Sequence, residues 1–307
     1  MDPNNFFAAS RLVVVAGKGG VGKTTVTAVL ARAAARHGRH VLVVDVEGRP
    51  GLAGLLGGDA EEVLTFDERA FAGPAGEGRV AGRSIRAGEA LADYLSSQGF
   101  GRLTRRLARS GVFDVVATAA PGIEDILVLG KVKQLERDGD QDLIVLDAPA
   151  AGHAIPFLQA AATLLDTVDG GPIRTQARDV AEMLADPTRC QVLLVTLAEE
   201  TPVNELVETS FALEDRVGVA LAPVVVNAVL GAPAGLAEIA ADLPPGPLAA
   251  AAEFRLRRSE GEAAQLARLA TTLPLPRIVL PYAPDGLGPG ALGPLIDAFL
   301  AGVEALP

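Results

Sequence analysis

The chain has 307 residues, 49% hydrophobic and 21% charged, which is enough apolar material for a large core and excludes a mostly disordered chain. Its 27 Lys plus Arg against 38 Asp plus Glu leave a formal net charge of −11, so the global basic footprint of a nucleic-acid-binding protein is missing. A single cysteine, Cys190, excludes an internal disulfide, a cysteine-rich zinc site and an iron–sulfur cluster held by one chain.

Met1–Asn5 shows neither a basic nor an apolar segment, so no signal peptide is read there and a cytoplasmic protein is expected. The first strand is predicted at Leu12–Ala16 and the first helix at Thr24–His37, ended by Gly38 as a C-cap. A strand at Val41–Val44 follows. Gly48–Ile85, rich in Gly and Pro, reads as a mobile loop with a small strand or helix. Helices are predicted at Glu89–Ser97 and Gly122–Glu136, with a weaker strand at Asp114–Thr118 between them. Next come a strand at Leu143–Leu146, helices at Ile155–Leu165 and Thr175–Leu184, a strand at Val192–Val195 and a helix at Pro202–Glu214. Val217–Ala237 is uncharged and long enough to span a bilayer, but its Gly, Pro and Asn residues read as a buried strand, Pro223–Val226, running into a turn. Ala232–Ala252 reads as an exposed excursion. Leu248–Leu269 and Ala291–Glu304 are predicted helices flanking a strand at Arg277–Leu280.

Short, continuous Val/Ile/Leu runs alternating with helices predict a doubly wound, mostly parallel α/β sheet covered on both faces. The expectation is one domain over 1–307, with a helical subdomain inserted around 86–137. Apolar residues at helical spacing in Leu91–Leu107 and Ile123–Leu135 either pack on that core or line a partner groove.

Gly17-Lys-Gly-Gly-Val-Gly-Lys-Thr-Thr25 contains G-x-x-x-x-G-K-[ST] as Gly17, Gly22, Lys23 and Thr24, with a predicted strand before it and a helix after it. Gly17, Gly19, Gly20 and Gly22 let successive N–H groups of the loop, through Val21 and Thr25, curl around an anion at a helix N-terminus. Lys23 is placed to bridge β- and γ-phosphates, and the Thr24 hydroxyl to hold Mg²⁺. Asp45 and Asp147 each follow a predicted strand. Carboxylates there can hold Mg²⁺ or its waters, or orient a nucleophilic water.

Lys18, an extra lysine inside the loop, makes Gly17–Thr25 resemble the deviant Walker A loop shared by MinD, ParA, the nitrogenase iron protein and the arsenical pump-driving ATPase. The resemblance implies that Lys18 reaches the partner's nucleotide in a dimer that sandwiches ATP. Asp147-Ala-Pro-Ala-Ala-Gly-His153 with Phe157-Leu158 resembles the second switch of the branch holding the arsenical pump ATPase and the ATPase that targets tail-anchored proteins. Thr201–Glu205 and Pro223–Asn227 resemble the same branch. The resemblance implies that Asn227 reads adenine, that Pro281 and Tyr282 belong to a loop closing over the base, and that ATP or ADP and Mg²⁺ are the ligands. His153 reads as a switch residue with a structural role rather than a general base.

The chain departs from the branch at its first switch, D-P-A-H-x-L-x-D. Aligned on Asp45, the segment reads Asp45-Val-Glu-Gly-Arg-Pro-Gly-Leu52, and Leu52 stands where the family's water-orienting Asp belongs. Leucine cannot polarise water, so either Glu47 substitutes, with Arg49 an alternative partner for that side chain, or this subunit hydrolyses poorly by itself. The cysteines for a bridging zinc or for arsenite are missing. Three readings result: a dimeric ATPase, homodimer or heteromer with a paralogous ATPase, coupled to a protein client or to peripheral membrane contact; a non-hydrolysing nucleotide-gated module; and a positioning ATPase like MinD or ParA. The last is disfavoured because Gly290–Pro307 carries Asp297 and Glu304 but no Lys or Arg.

Overall fold

A computed structural model describes residues 1–48, 50–96, 122–149, 151–287 and 292–307. After a short helix α1 (Pro3–Phe7), the chain runs β1 (Leu12–Gly17), α2 (Lys23–Arg36), β2 (Val41–Asp45), α3 (Leu52–Leu55), β3 (Arg69–Phe71), β4 (Val80–Ser84) and α4 (Ala87–Leu95). It continues with α5 (Ile123–Asp138), β5 (Leu143–Asp147), α6 (Ala151–Thr167), α7 (Pro172–Ala185), β6 (Cys190–Leu197) and α8 (Glu200–Arg216). The described part closes with β7 (Ala220–Leu221), β8 (Val224–Val229), α9 (Leu236–Asp242), α10 (Pro247–Thr272), β9 (Arg277–Pro281) and α11 (Leu292–Glu304).

The sheet order is β3-β4-β2-β5-β1-β6-β8-β9, with β7 beside β6; only the β3–β4 pair is antiparallel. Helices cover both faces. Alternate residues of each strand feed two apolar cores. Leu12, Val14, Ile144, Leu146, Val192 and Leu194 face α5 to α8, whereas Val13, Val15, Val43, Val145 and Val195 face α2, α3 and α11. The period of two was hidden in the sequence because both faces are buried.

The expected strands and helices outside 97–121 are present. The weak strand at Asp114–Thr118 lies outside the described residues. Gly48–Ile85 departs from expectation: it holds α3, β3 and β4 rather than a loop with one small element. β4 escaped notice because Gly82, Arg83 and Ser84 interrupt its apolar run, and Gly82 leaves room for the Phe71 ring and the Leu64 side chain. The excursion at Ala232–Ala252 contains α9 and the first turn of α10, and α9 buries none of its residues. No described helix is long and apolar enough to cross a membrane.

Of the expected helical insertion, α4 and α5 are described. Ala90, Ile126, Leu129 and Val132 join the same core as the strands. Their other sides, with α7, enclose a groove of ≈ 590 Å³ lined by Leu91, Leu95, Ile123, Leu127 and Ile173. Core packing and a groove therefore coexist on these helices. The apolar face of α11 is taken up inside, with Leu295, Ile296, Phe299 and Val303 buried.

Candidate functional site

β1 ends at Gly17, the chain turns through Lys18–Gly22, and α2 starts at Lys23. Gly20 (φ 85°) and Gly22 (φ 88°) take left-handed conformations that glycine enters at little cost. Space matters as well. A Cβ at Gly17 would stand 2.3 Å from the Val195 carbonyl oxygen, and one at Gly22 2.2 Å from Asn227 Nδ2. The loop therefore lies on the carboxyl edge of the sheet with the N-terminus of the 14-residue α2 behind it, a natural cradle for an anion. Lys23 Nζ donates to the Lys18 carbonyl oxygen at 3.2 Å, so its charge stays within the loop.

Asp147 ends β5, in register with Val15 of β1 and with Asp45 of β2. It accepts hydrogen bonds from Thr24 Oγ1 at 2.8 Å and from Thr27 Oγ1 at 3.4 Å. Burial pushes its carboxyl up to about 6; the neighbouring Asp45 adds to the rise, while Thr24 and Lys23 oppose it. Asp45 is also raised by burial, with Glu47 adding to it. The backbone N–H groups of Gly48 and Glu47 oppose the rise by donating to Oδ1, both at 3.0 Å, and Arg86 opposes it electrostatically. Asp45 Oδ2 is buried and has no hydrogen-bond partner among the described residues.

These groups meet in a cleft of ≈ 590 Å³ whose lining includes Gly22, Lys23, Thr24, Asp45, Glu47 and Asp147. Two adjacent buried carboxylates, an orphaned carboxylate oxygen and a hydroxyl form a hard-oxygen set that fits Mg²⁺. The glycine cradle and Lys23 fit phosphate. Gly19 and Gly20 line the same cleft.

The remaining expected residues are placed elsewhere. Val21 and Thr25 are buried. Lys18 Nζ turns away to Glu205 Oε1 on α8, at 2.5 Å. Asn227 lies across β1 from the carboxylates, and its Nδ2 donates to the Val21 carbonyl oxygen at 3.0 Å. Pro281 ends β9, and the exposed Tyr282 donates its N–H to Val229 at 3.0 Å, so both sit beside the end of Asn227's strand. His153 is exposed on α6.

Leu52 is 2% exposed, on α3, and belongs to the core beneath α2 while also lining the cleft. Leu52 is therefore a packing residue at the edge of the cleft. Arg49 lies outside the described residues. Reading the sequence missed Thr27 and Arg86, and although Glu205 ends the segment Thr201–Glu205 singled out there, its pairing with Lys18 was not foreseen. Thr27 had a signal, since it stands three residues after Thr24 and shares its helix face. Arg86 and the contact of Glu205 with Lys18 arrive through tertiary folding and had none.

A model of the CobQ/CobB/MinD/ParA nucleotide binding domain matches residues 12–240. ATPase BagA of Mycobacterium tuberculosis (strain ATCC 25618 / H37Rv) is 31% identical over 94% of this chain and 92% of its own length. A putative arsenical pump-driving ATPase of Halobacterium salinarum is 26% identical over 72% of this chain and 36% of its own length. ATPase GET3 of Podospora anserina is 29% identical over 48% of this chain and 42% of its own length.

Proposed function

Because the chain belongs to the CobQ/CobB/MinD/ParA nucleotide-binding family, we propose that it is a dimeric ATPase whose nucleotide state gates contact with a protein client or a membrane partner. The observation that carries this reading is the Thr24–Asp147 hydrogen bond at 2.8 Å, which joins the loop hydroxyl to a strand-end carboxylate beside Lys23. Residues 1–307 are taken as one domain built around that site.

In this reading the N–H groups of Gly17–Thr25 bind phosphate oxygens. Lys23 leaves the Lys18 carbonyl and spans the β- and γ-phosphates. Thr24 and Asp147 hold Mg²⁺, directly or through water, and the ion when bound neutralises charge on the transferring phosphoryl group. Asp45 presents an unused acceptor, Oδ2, that can orient the attacking water, and Glu47 is the second candidate in the same cleft. Asn227, with Nδ2 given to Val21, keeps Oδ1 for the adenine amino group, and Pro281 with Tyr282 borders the base. Lys18 exchanges Glu205 for the partner's nucleotide when the dimer closes.

A second reading is a subunit that binds ATP but hydrolyses it only beside a paralogous ATPase, or not at all. Burial of Leu52 in the core favours it. The positioning type is weakened by the buried apolar face of α11.

The test is Mg²⁺-dependent ATP hydrolysis by the purified chain, with Lys23→Ala as control and binding measured alongside. Turnover lost in the control supports the ATPase. Binding without turnover moves the assignment to the second reading, and an absence of binding overturns both.

A further inference from the structure

The chain beyond Asn227 is held in a way that packing alone does not require. Ala228 takes φ 53°, the only positive value at a non-glycine among the described residues, and the pairing of β8 with β9 shifts register between Val226 and Val229. A left-handed alanine persists only where its surroundings hold it there. The grip comes from α10. Glu262 Oε2 accepts from the N–H groups of Leu230 and Gly231, both at 3.0 Å. Arg255 Nη2 donates to the Leu230 carbonyl at 2.9 Å, and its Nε to the Gly231 carbonyl at 3.0 Å. Two side chains seven residues apart, on one face of α10, thus take all four polar backbone groups of one dipeptide.

The Glu262 carboxylate is 5% exposed, and Arg258 Nε donates to its other oxygen at 3.3 Å. A buried carboxylate with both oxygens engaged is costly to assemble and rigid once made. Besides holding Arg258, it fixes the backbone of Leu230 and Gly231. That segment directly follows Asn227, which pairs with Leu197 of β6 and whose Nδ2 reaches the phosphate loop at Val21.

We propose that Glu262 and Arg255 are positioning residues for base selection: through the kink at Ala228 they hold Asn227 so that Oδ1 meets an exocyclic amino group and rejects a carbonyl. This rests on the reading of the cleft and Asn227 as a nucleotide site. The ligand favoured is therefore an adenine nucleotide over a guanine one, and the discrimination is supplied by a helix that touches neither base nor phosphate.

The experiment titrates Mg²⁺ complexes of ATP, GTP and inorganic tripolyphosphate into wild type, Glu262→Ala, Glu262→Gln, Arg255→Ala and the control Arg257→Ala. Tripolyphosphate carries no base, so it separates the clamp from the phosphate loop. The expected result is about a tenfold loss of ATP affinity in Glu262→Ala and Arg255→Ala, an ATP-to-GTP ratio falling toward unity, and tripolyphosphate within about twofold of wild type. Glu262→Gln, which keeps an acceptor oxygen, recovers part of the ratio, and Arg257→Ala matches wild type. An unchanged ratio in the folded variants overturns the proposal, and so does a parallel loss of all three ligands. Should Glu262→Ala fail to fold, Arg255→Ala alone decides. Wild type that binds tripolyphosphate but does not separate ATP from GTP sinks the clamp's role and spares the phosphate site; wild type that binds none of the three removes the underlying reading.

Discussion

The two sides of the cleft are finished to different degrees. On the α2 side, the Thr24 and Thr27 hydroxyls both reach Asp147, and Lys23 is bonded inside its own loop. On the β2 side, Asp45 Oδ2 is buried without a hydrogen-bond partner among the described residues, as is Ser84 Oγ beside it in strand register, and Leu52 is packed into the core. Unmet buried polar groups are expensive, so the second side is built to receive something. On the function proposed above, the difference assigns the holding of phosphate to this chain alone and makes the orienting of water depend on what completes the Asp45 side.

The hardest attempt to erase that difference is Leu52→Asp, which restores the family residue. An unpaired carboxylate forced into the core beneath α2 should cost about 4 kcal/mol in denaturant unfolding and leave turnover no faster. A stable, faster variant would show that Leu52 is not a packing residue.

Asp147 allows a test on the finished side. Its carboxyl is raised to about 6 in the folded, ligand-free protein, so the folded state binds the proton more tightly than the unfolded chain. The associated stability is fully present below about pH 4 and is lost as pH rises through about 6, roughly 3 kcal/mol in all. Asp147→Asn should flatten that stretch of the stability–pH curve measured in EDTA. Identical curves would contradict the burial argument.

Lys23→Ala should weaken Mg·ATP binding roughly 100-fold, the worth of charge-assisted bonds to phosphate, with little change in melting temperature. A comparable loss from Glu47→Gln, on the unfinished side, would blur the contrast. The smallest effect belongs to Glu205→Gln. Lys18 and Glu205 are both more than one-third exposed, so freeing Lys18 should strengthen ATP-dependent self-association only about threefold by sedimentation.

Much of this was legible in the sequence. The glycine-rich turn of Gly17–Thr25 between a strand and a helix was read from its motif, and the parallel sheet from continuous Val/Ile/Leu runs. Asp45 and Asp147 were visible as strand ends, although their side-by-side register was not, since it comes from strand order. β4 stayed hidden because Gly82, Arg83 and Ser84 interrupt its apolar run, with Gly82 packed under Phe71 and Leu64 and Arg83 over the Phe66 ring. The grip of Glu262 and Arg255 on Leu230-Gly231 left no pattern, because a residue bonding to backbone puts no demand on the identity of its partner. Leu52 was noticed only for the acid the resemblance expects there, and its place in the core was not legible.

The central claim is that the phosphate-holding side is complete in this chain alone. It is tested most directly by calorimetric titration of Mg·ATP into the purified protein at neutral pH, with Lys23→Ala beside it. The account predicts saturable binding of one nucleotide per chain that the variant loses. Wild-type heats that never saturate, or a variant that binds as well as wild type, would contradict it.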